Sequence, residues 1–259
     1  MSSTRDLQGE SVERLILDGA AIAFRWTAGD VPPAVIWLGG FHSDMTGTKA
    51  QALADWANLG GRTFVRFDYF GHGQSEGVFE EGTITRWRGD VLAMLDLVER
   101  RCGAGPVVLV GSSMGGWLAC LAALARPDRV KALLLIAPAA DFTEMLLRPS
   151  LPPEALEALV RDGVWVRPSA YDAGGYPIGR ALLEDGARWS ILGGPVPIQA
   201  PVRILQGGAD PDVPWTHTLA LAQAIEGEDV VFTLIRDGDH RLSRPGDIAR
   251  LIAAVEEVV

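Results

Sequence analysis

The sequence predicts an α/β protein with a mostly parallel central sheet flanked by helices and one inserted segment. Three observations carry this reading. Apolar runs of strand length alternate with stretches of helical periodicity from about residue 34 to the C-terminus. The inner runs, such as VVLV at 107–110 and LLLI at 133–136, are continuous rather than alternating, as in strands covered on both faces. The alternation stops between residues 141 and 200, an interval several times the usual connection length, which marks an insertion.

The elements follow in order. A hairpin of strands 12–17 and 21–26 opens the chain. Strand 34–38 leads to helix 48–58, strand 63–68 to helix 84–101, and strand 106–111 to helix 114–125. Strand 131–137 precedes the insertion, and strand 202–206, helix 215–225, strand 230–235 and helix 246–258 follow it. The insertion holds a helical pattern at 153–162, then Gly, Pro and Trp-rich sequence, then a second helical pattern at 180–189. The expected division is a core of residues 1–140 and 201–259 with a small, mostly helical cap at 141–200.

Composition bounds the function. A length of 259 residues, 48% hydrophobic and 22% charged, suits one large core. The 23 basic against 33 acidic residues give a net charge of −10, which argues against nucleic acid or an anionic membrane as the main partner. Residues 103–125 are uncharged, but the glycines and serines at 111–116 split them into strand and helix, so they read as core and not as a membrane span. Two cysteines, Cys102 and Cys120, make no disulfide framework, and residues 1–14 are polar, mixed in charge and without an apolar stretch. A cytoplasmic location is the expectation.

The most informative motif is G-x-S-x-G at 111–115. As a bare string it is weak, but here an apolar strand leads in and an uncharged helix leads out. A strand that reverses into a helix within a residue or two holds its serine in a strained conformation with the hydroxyl projecting, which makes Ser113 a nucleophile. Open parallel sheets present their sites beyond the carboxyl ends of the strands. Strand 202–206 runs into GGADPDVP at 207–214 and strand 230–235 into RDGDH at 236–240. Asp210 is the expected partner of His240, with Asp212 as its competitor and Asp237 and Asp239 as turn residues. The loop GGFH at 39–42 follows strand 34–38, so the backbone N–H groups of Phe41 and Met114 are the expected oxyanion donors, with His42 and Ser43 as supports.

These motifs resemble the α/β-hydrolase superfamily, and in particular the palmitoyl-protein thioesterase and acyl-glucuronide esterase group of α/β-hydrolase domain-containing protein ten. The stretches that carry the resemblance are GGFHSDMTGTKA (39–50), RFDYFGHGQSEG (66–77), WRGDV (87–91), GSSMGGWLA (111–119), ARPDRV (125–130), GVW (163–165), PVRILQGGADPDVPW (201–215) and GDHRLSRPGDI (238–248). The resemblance covers the chain from about residue 30 onward, with only patches in the cap. It implies an α/β-hydrolase fold, the triad Ser113, Asp210 and His240, oxyanion donors at Phe41 and Met114, and a small-molecule or acylated-protein substrate. The mitochondrial member has a transit peptide without a counterpart here, so the resemblance leaves the cytoplasmic expectation in place.

Other motifs are weaker. GHGQSEG at 71–77 has the wrong spacing for a dinucleotide loop and reads as the turn that shapes the site floor. His42, His72, His217 and His240 show no paired metal-ligand spacing, so neither cofactor nor metal is expected. Trp165, Tyr171, Tyr176 and Trp189 are either a core for the cap or an acyl-binding wall, and Trp165 and Trp189 are the expected substrate contacts. A peptidase of the same fold would need an acidic anchor for an amino terminus, for which Glu154, Glu157, Asp172, Glu184 and Asp185 are available. A ligand sensor that keeps the fold without turnover is the reading from another class, and an intact Ser, Asp, His order argues against it.

Overall fold

A computed structural model describes residues 11–168 and 174–259. Tyr171 and Asp172, and the first ten residues of the N-terminal segment, lie outside the described residues. The chain forms an eight-stranded sheet of β1 (Val12–Leu17), β2 (Ala20–Thr27), β3 (Val31–Leu38), β4 (Arg62–Phe67), β5 (Val107–Ser112), β6 (Val130–Ile136), β9 (Val202–Gly207) and β10 (Val230–Ile235). Their spatial order is β1-β2-β4-β3-β5-β6-β9-β10. β2 pairs antiparallel with β1 and β4, and all other pairings are parallel.

The period of two along each strand divides the core into two layers. Val108 and Val110 face α1 (Thr48–Leu59) and α7 (Pro245–Glu256), through Leu53, Ala57, Leu251 and Val255. Val107 and Leu109 face α2 (Ile84–Cys102), α3 (Met114–Ala125) and α6 (Trp215–Ala224), through Trp87, Leu118 and Leu221. Every residue from Met114 to Ala123 is buried, which is why this helix carries no charge.

β3 is flanked by β4 on one side and β5 on the other, so the order of the strands reverses between β3 and β5. Leu38 sits opposite Gly111 in that pair. The loops that leave these two strands therefore diverge around a crevice at their carboxyl ends, the place where such sheets hold ligands.

Residues 141–200 contain a π-helical turn (Thr143–Leu147), α4 (Pro153–Arg161), an antiparallel pair of β7 (Val164–Arg167) and β8 (Tyr176–Gly179), α5 (Arg180–Gly186) and a 3₁₀ turn (Ala187–Trp189). The two helices match the periodicity of the sequence. The strand pair was not legible there, because four residues are too short for a periodic signal and Pro177 interrupts one of the strands. The buried Asp141 carboxylate closes the segment end to end by accepting hydrogen bonds from Ser190 Oγ (2.5 Å), Ile191 N (2.9 Å) and Leu192 N (2.8 Å). No described helix is long and apolar enough to cross a membrane.

Candidate active site

Ser113 lies between β5 and α3 with φ 56° and ψ −120°, a conformation that side chains rarely adopt. Tight packing on both sides holds it there. A Cβ on Gly111 would meet the Gly115 carbonyl oxygen at 2.3 Å, and one on Gly115 would meet that of Leu38 at 2.1 Å, so only glycine permits the turn. The Ser113 N–H donates to Ile136 O at 2.9 Å and its carbonyl accepts from Ala139 N at 3.0 Å, which ties the turn to the end of β6.

Two other strand ends bring their groups to this serine. His240 Nε2 is 3.1 Å from Ser113 Oγ, and His240 Nδ1 is 2.8 Å from Asp210 Oδ2. With Nδ1–H donating to the carboxylate, Nε2 is left to accept the serine proton. The other Asp210 oxygen accepts from the N–H groups of Asp212 and Val213, each at 2.9 Å. Burial works against the Asp210 charge, but the His240 contact and these two N–H groups outweigh it and hold the carboxyl below its usual range. Asp212, the competing acid, donates its backbone N–H to Asp210.

The loop after β3 approaches from the opposite side. A Cβ on Gly40 would lie 3.3 Å from Ser113 Cβ. Tyr69 donates its hydroxyl to Gly39 O at 3.2 Å, Ser43 donates Oγ to Gly40 O at 2.7 Å, and His42 donates its N–H to His72 Nε2 at 3.2 Å. Burial lowers the His72 pKa to about 4, and the Phe70 carbonyl 3.1 Å from Nδ1 fixes the tautomer that leaves Nε2 as an acceptor. The two expected oxyanion donors border the same cavity as Ser113, and among the described residues neither the Phe41 nor the Met114 N–H has a protein acceptor. His72 was read from the sequence only as part of a turn. Its contact with residue 42 spans thirty residues and has no local signal.

Two cavities meet at Ser113 and His240. One, of about 380 Å³, is bordered by polar side chains including Ser43, Thr48, Lys49, Arg241 and Ser243. The other, of about 140 Å³, is bordered chiefly by Met114, Phe142, Leu146, Leu147, Ile178 and Val213. Trp165 and Trp189, the expected substrate contacts, border neither. Trp165 packs against the core from β7, opposite Ile178. Trp189 donates Nε1 to Thr85 Oγ1 at 2.7 Å and lies under the Arg88 guanidinium, 4.5 Å from the ring centre, so its indole fastens the insertion to α2. Residue type alone pointed to these indoles; in the fold one packs against the core and the other on α2. Asp210, Asp212 and His240 are the one set among the described residues with three ligand-type atoms close enough to hold a metal ion, but Asp210 and His240 are already bonded to each other.

A family model described as serine aminopeptidase, S33, matches residues 29–171. The mouse protein named palmitoyl-protein thioesterase ABHD10, mitochondrial, is 40% identical over 228 residues, which cover 88% of this chain and 75% of that protein. The chain belongs to the α/β-hydrolase family. Two solved structures share this α/β-hydrolase architecture over nearly the whole chain. A putative hydrolase from Agrobacterium vitis S4 has a TM-score of 0.91 at 41% identity, covering 97% of this chain and 100% of its own. Mouse alpha/beta hydrolase domain-containing protein 10 has a TM-score of 0.85 at 37% identity, covering 95% and 97%. The relatives also correct one expectation: the mouse, rat and human proteins are all named mitochondrial, which overturns the cytoplasmic location read from residues 1–14. That reading rested on the composition of a short polar segment.

Proposed function

We propose that this α/β hydrolase cleaves carboxylic esters or thioesters with an apolar acyl group through an acyl-enzyme on Ser113. The observation that carries the reading is the unbroken hydrogen-bonded series from Ser113 Oγ through the His240 ring to Asp210. His240 Nε2 takes the serine proton as Oγ attacks the acyl carbon, and the carbonyl electrons move onto oxygen. The N–H groups of Phe41 and Met114 donate to that oxyanion, and Asp210 stabilises the imidazolium. When the tetrahedral intermediate collapses, the bond to the leaving oxygen or sulfur breaks and His240 returns the proton to it. Water, deprotonated by His240, then releases the acid and restores Ser113.

The substrate class follows from the relatives and from the site together. ABHD10 proteins are named palmitoyl-protein thioesterases, and the cavity between Met114 and Val213 is apolar, which supports an acylated substrate. Residues 141–200 act as a cap, since Phe142, Leu146, Leu147 and Ile178 border that cavity. Peptidase action has less support: of the acids expected to anchor an amino terminus, Glu154, Glu157, Glu184 and Asp185 border neither cavity. A fluorophosphonate probe tests the nucleophile. It should label the wild type and Ser112→Ala and leave Ser113→Ala unlabelled; equal labelling of Ser113→Ala would remove Ser113 from the mechanism.

A further inference from the structure

We infer that Lys49 is a positioning residue of this site: through the backbone carbonyl of Arg241, its ammonium holds the loop that presents His240 to Ser113. The inference rests on the hydrolase reading above and adds a residue to its machinery. His240 lies midway along the loop from β10 to α7, residues 236–244. Its own backbone N–H and C=O make no hydrogen bond among the described residues, so the flanks of the loop must fix the ring. On one side, Gly238 O accepts from Ala209 N at 2.9 Å. On the other, the first anchored backbone group is the Arg241 carbonyl, which accepts from Lys49 Nζ and from Ser243 Oγ (3.0 Å). Just beyond it, Leu242 is buried at φ 44°, a conformation that side chains rarely adopt, with its N–H on Asp239 Oδ1 at 2.9 Å.

Ser243 belongs to the loop itself, whereas Lys49 reaches it from 192 residues away, in the first turn of α1. That helix is rooted on the sheet by the buried Ala50, Leu53, Ala54 and Ala57, so Lys49 ties the loop to a rigid element. Helix stability does not explain a lysine at this position. α1 starts at Gly47 without a side-chain cap and has no acid in its first turn, and a cation at a helix N-terminus opposes the macrodipole. The side chain is half-buried and faces Arg241 and Asp239 of the loop and Asp247 of α7, with Asp44 and His42 bordering the same cavity. Burial and the Arg241 charge lower the Lys49 pKa to about 8, against the pull of Asp239 and Asp247. Above that pH the ammonium becomes an amine, whose hydrogen bond to the carbonyl is about half as strong. The loop is then held less firmly, although the contact itself persists.

The test measures kcat and KM for the 4-nitrophenyl ester and the N-acetylcysteamine thioester of hexanoic acid, from pH 6.5 to 9.5 with the uncatalysed rate subtracted. Wild type, Lys49→Met and Lys49→Arg are compared. Misplacing a catalytic group by about 1 Å costs about a hundredfold, so Lys49→Met should lose about that factor in kcat at pH 7 on both substrates, with KM within about threefold. Lys49→Arg keeps a donor that stays charged, and should restore kcat to within about tenfold of the wild type. The wild-type kcat should fall about fivefold between pH 7.5 and 9.5, and that of Lys49→Arg should not. Thermal melting checks that both variants fold; where Lys49→Met does not, the two pH profiles decide. A kcat for Lys49→Met within about threefold of the wild type, a loss confined to KM or to one leaving group, or one pH profile shared by the wild type and Lys49→Arg overturns the role of Lys49. Each of these leaves the hydrolase reading intact. Absence of both fluorophosphonate labelling and turnover in the wild type removes the hydrolase reading, and this inference with it.

Discussion

A residue held at positive φ without being glycine costs of order 1–3 kcal/mol, and Ser113 is held so by neighbours that lack side chains. The return is a hydroxyl that stands clear of the sheet, in reach of a histidine from a different strand. Asp210 completes the unit because its two oxygens do different work: one faces the His240 ring while the other is fixed by the backbone of residues 212 and 213. Asp210→Asn should keep the fold and lower kcat by about four powers of ten, since a neutral amide favours the wrong imidazole tautomer. Asp212→Asn should stay within tenfold of the wild type. Steady-state kinetics on a hexanoyl ester, with circular dichroism as the control, checks both; a larger loss for Asp212→Asn would exchange the two assignments.

At the scale of elements, Thr85 ties the inserted segment to α2. Thr85, in the first turn of α2, donates its N–H and hydroxyl to the Asp185 carboxylate at 2.7 Å each and accepts the Trp189 N–H at the same distance. Both partners lie about one hundred residues away along the chain, so no periodicity or motif announces the contact. Asp185 was read as a possible amine anchor and Trp189 as a substrate contact; in the fold both fasten the inserted segment to α2. A hydrogen bond to a charged group contributes about 1.5–3 kcal/mol. Asp185→Ala should therefore lower the unfolding free energy by about 2 kcal/mol in urea denaturation, and Glu184→Ala, on the exposed side of the same helix, by less than about 0.5 kcal/mol. If the seat matters to catalysis, Trp189→Ala lowers kcat/KM equally for acetyl and hexanoyl esters. A loss confined to hexanoyl would return that indole to the acyl wall.

For the whole molecule, the buried titratable groups set the response to acid. Burial lowers His72 to about 4, so between pH 6.5 and 4 the unfolded chain binds a proton that the folded state refuses. His72 thus makes stability fall as pH drops through that window. Asp90 acts in the opposite sense. Burial raises its pKa to about 6 despite the Phe70 N–H and Arg86, so the folded state binds a proton between pH 6 and 3.8 that the unfolded chain does not, and stability rises as pH drops. The two contributions oppose each other over most of the same interval. Asp90→Asn removes one of them, so its unfolding free energy should fall by about 3 kcal/mol more than that of the wild type between pH 6.5 and 3.8. Chemical denaturation followed by tryptophan fluorescence measures this; parallel pH curves for the two proteins would show that Asp90 does not titrate in that range.

Strand and helix alternation, the elbow at Ser113 and the acids and histidine at the ends of later strands were all legible in the chain. Each is a local pattern set by side-chain period or by turn chemistry within about ten residues. Such patterns place groups at strand ends, and a parallel sheet then gathers those ends along one edge. The tertiary structure alone decided which side chains face the serine. Phe142, Leu146, Leu147 and Val213 border the apolar cavity beside Ser113 while Trp165 and Trp189 pack elsewhere, and His72 holds the loop that carries Phe41. Those facts depend on how the insertion is seated across α2 and on contacts between segments far apart in the chain. A one-dimensional pattern carries the hydrophobicity of a residue but not the direction in which its neighbours make it point.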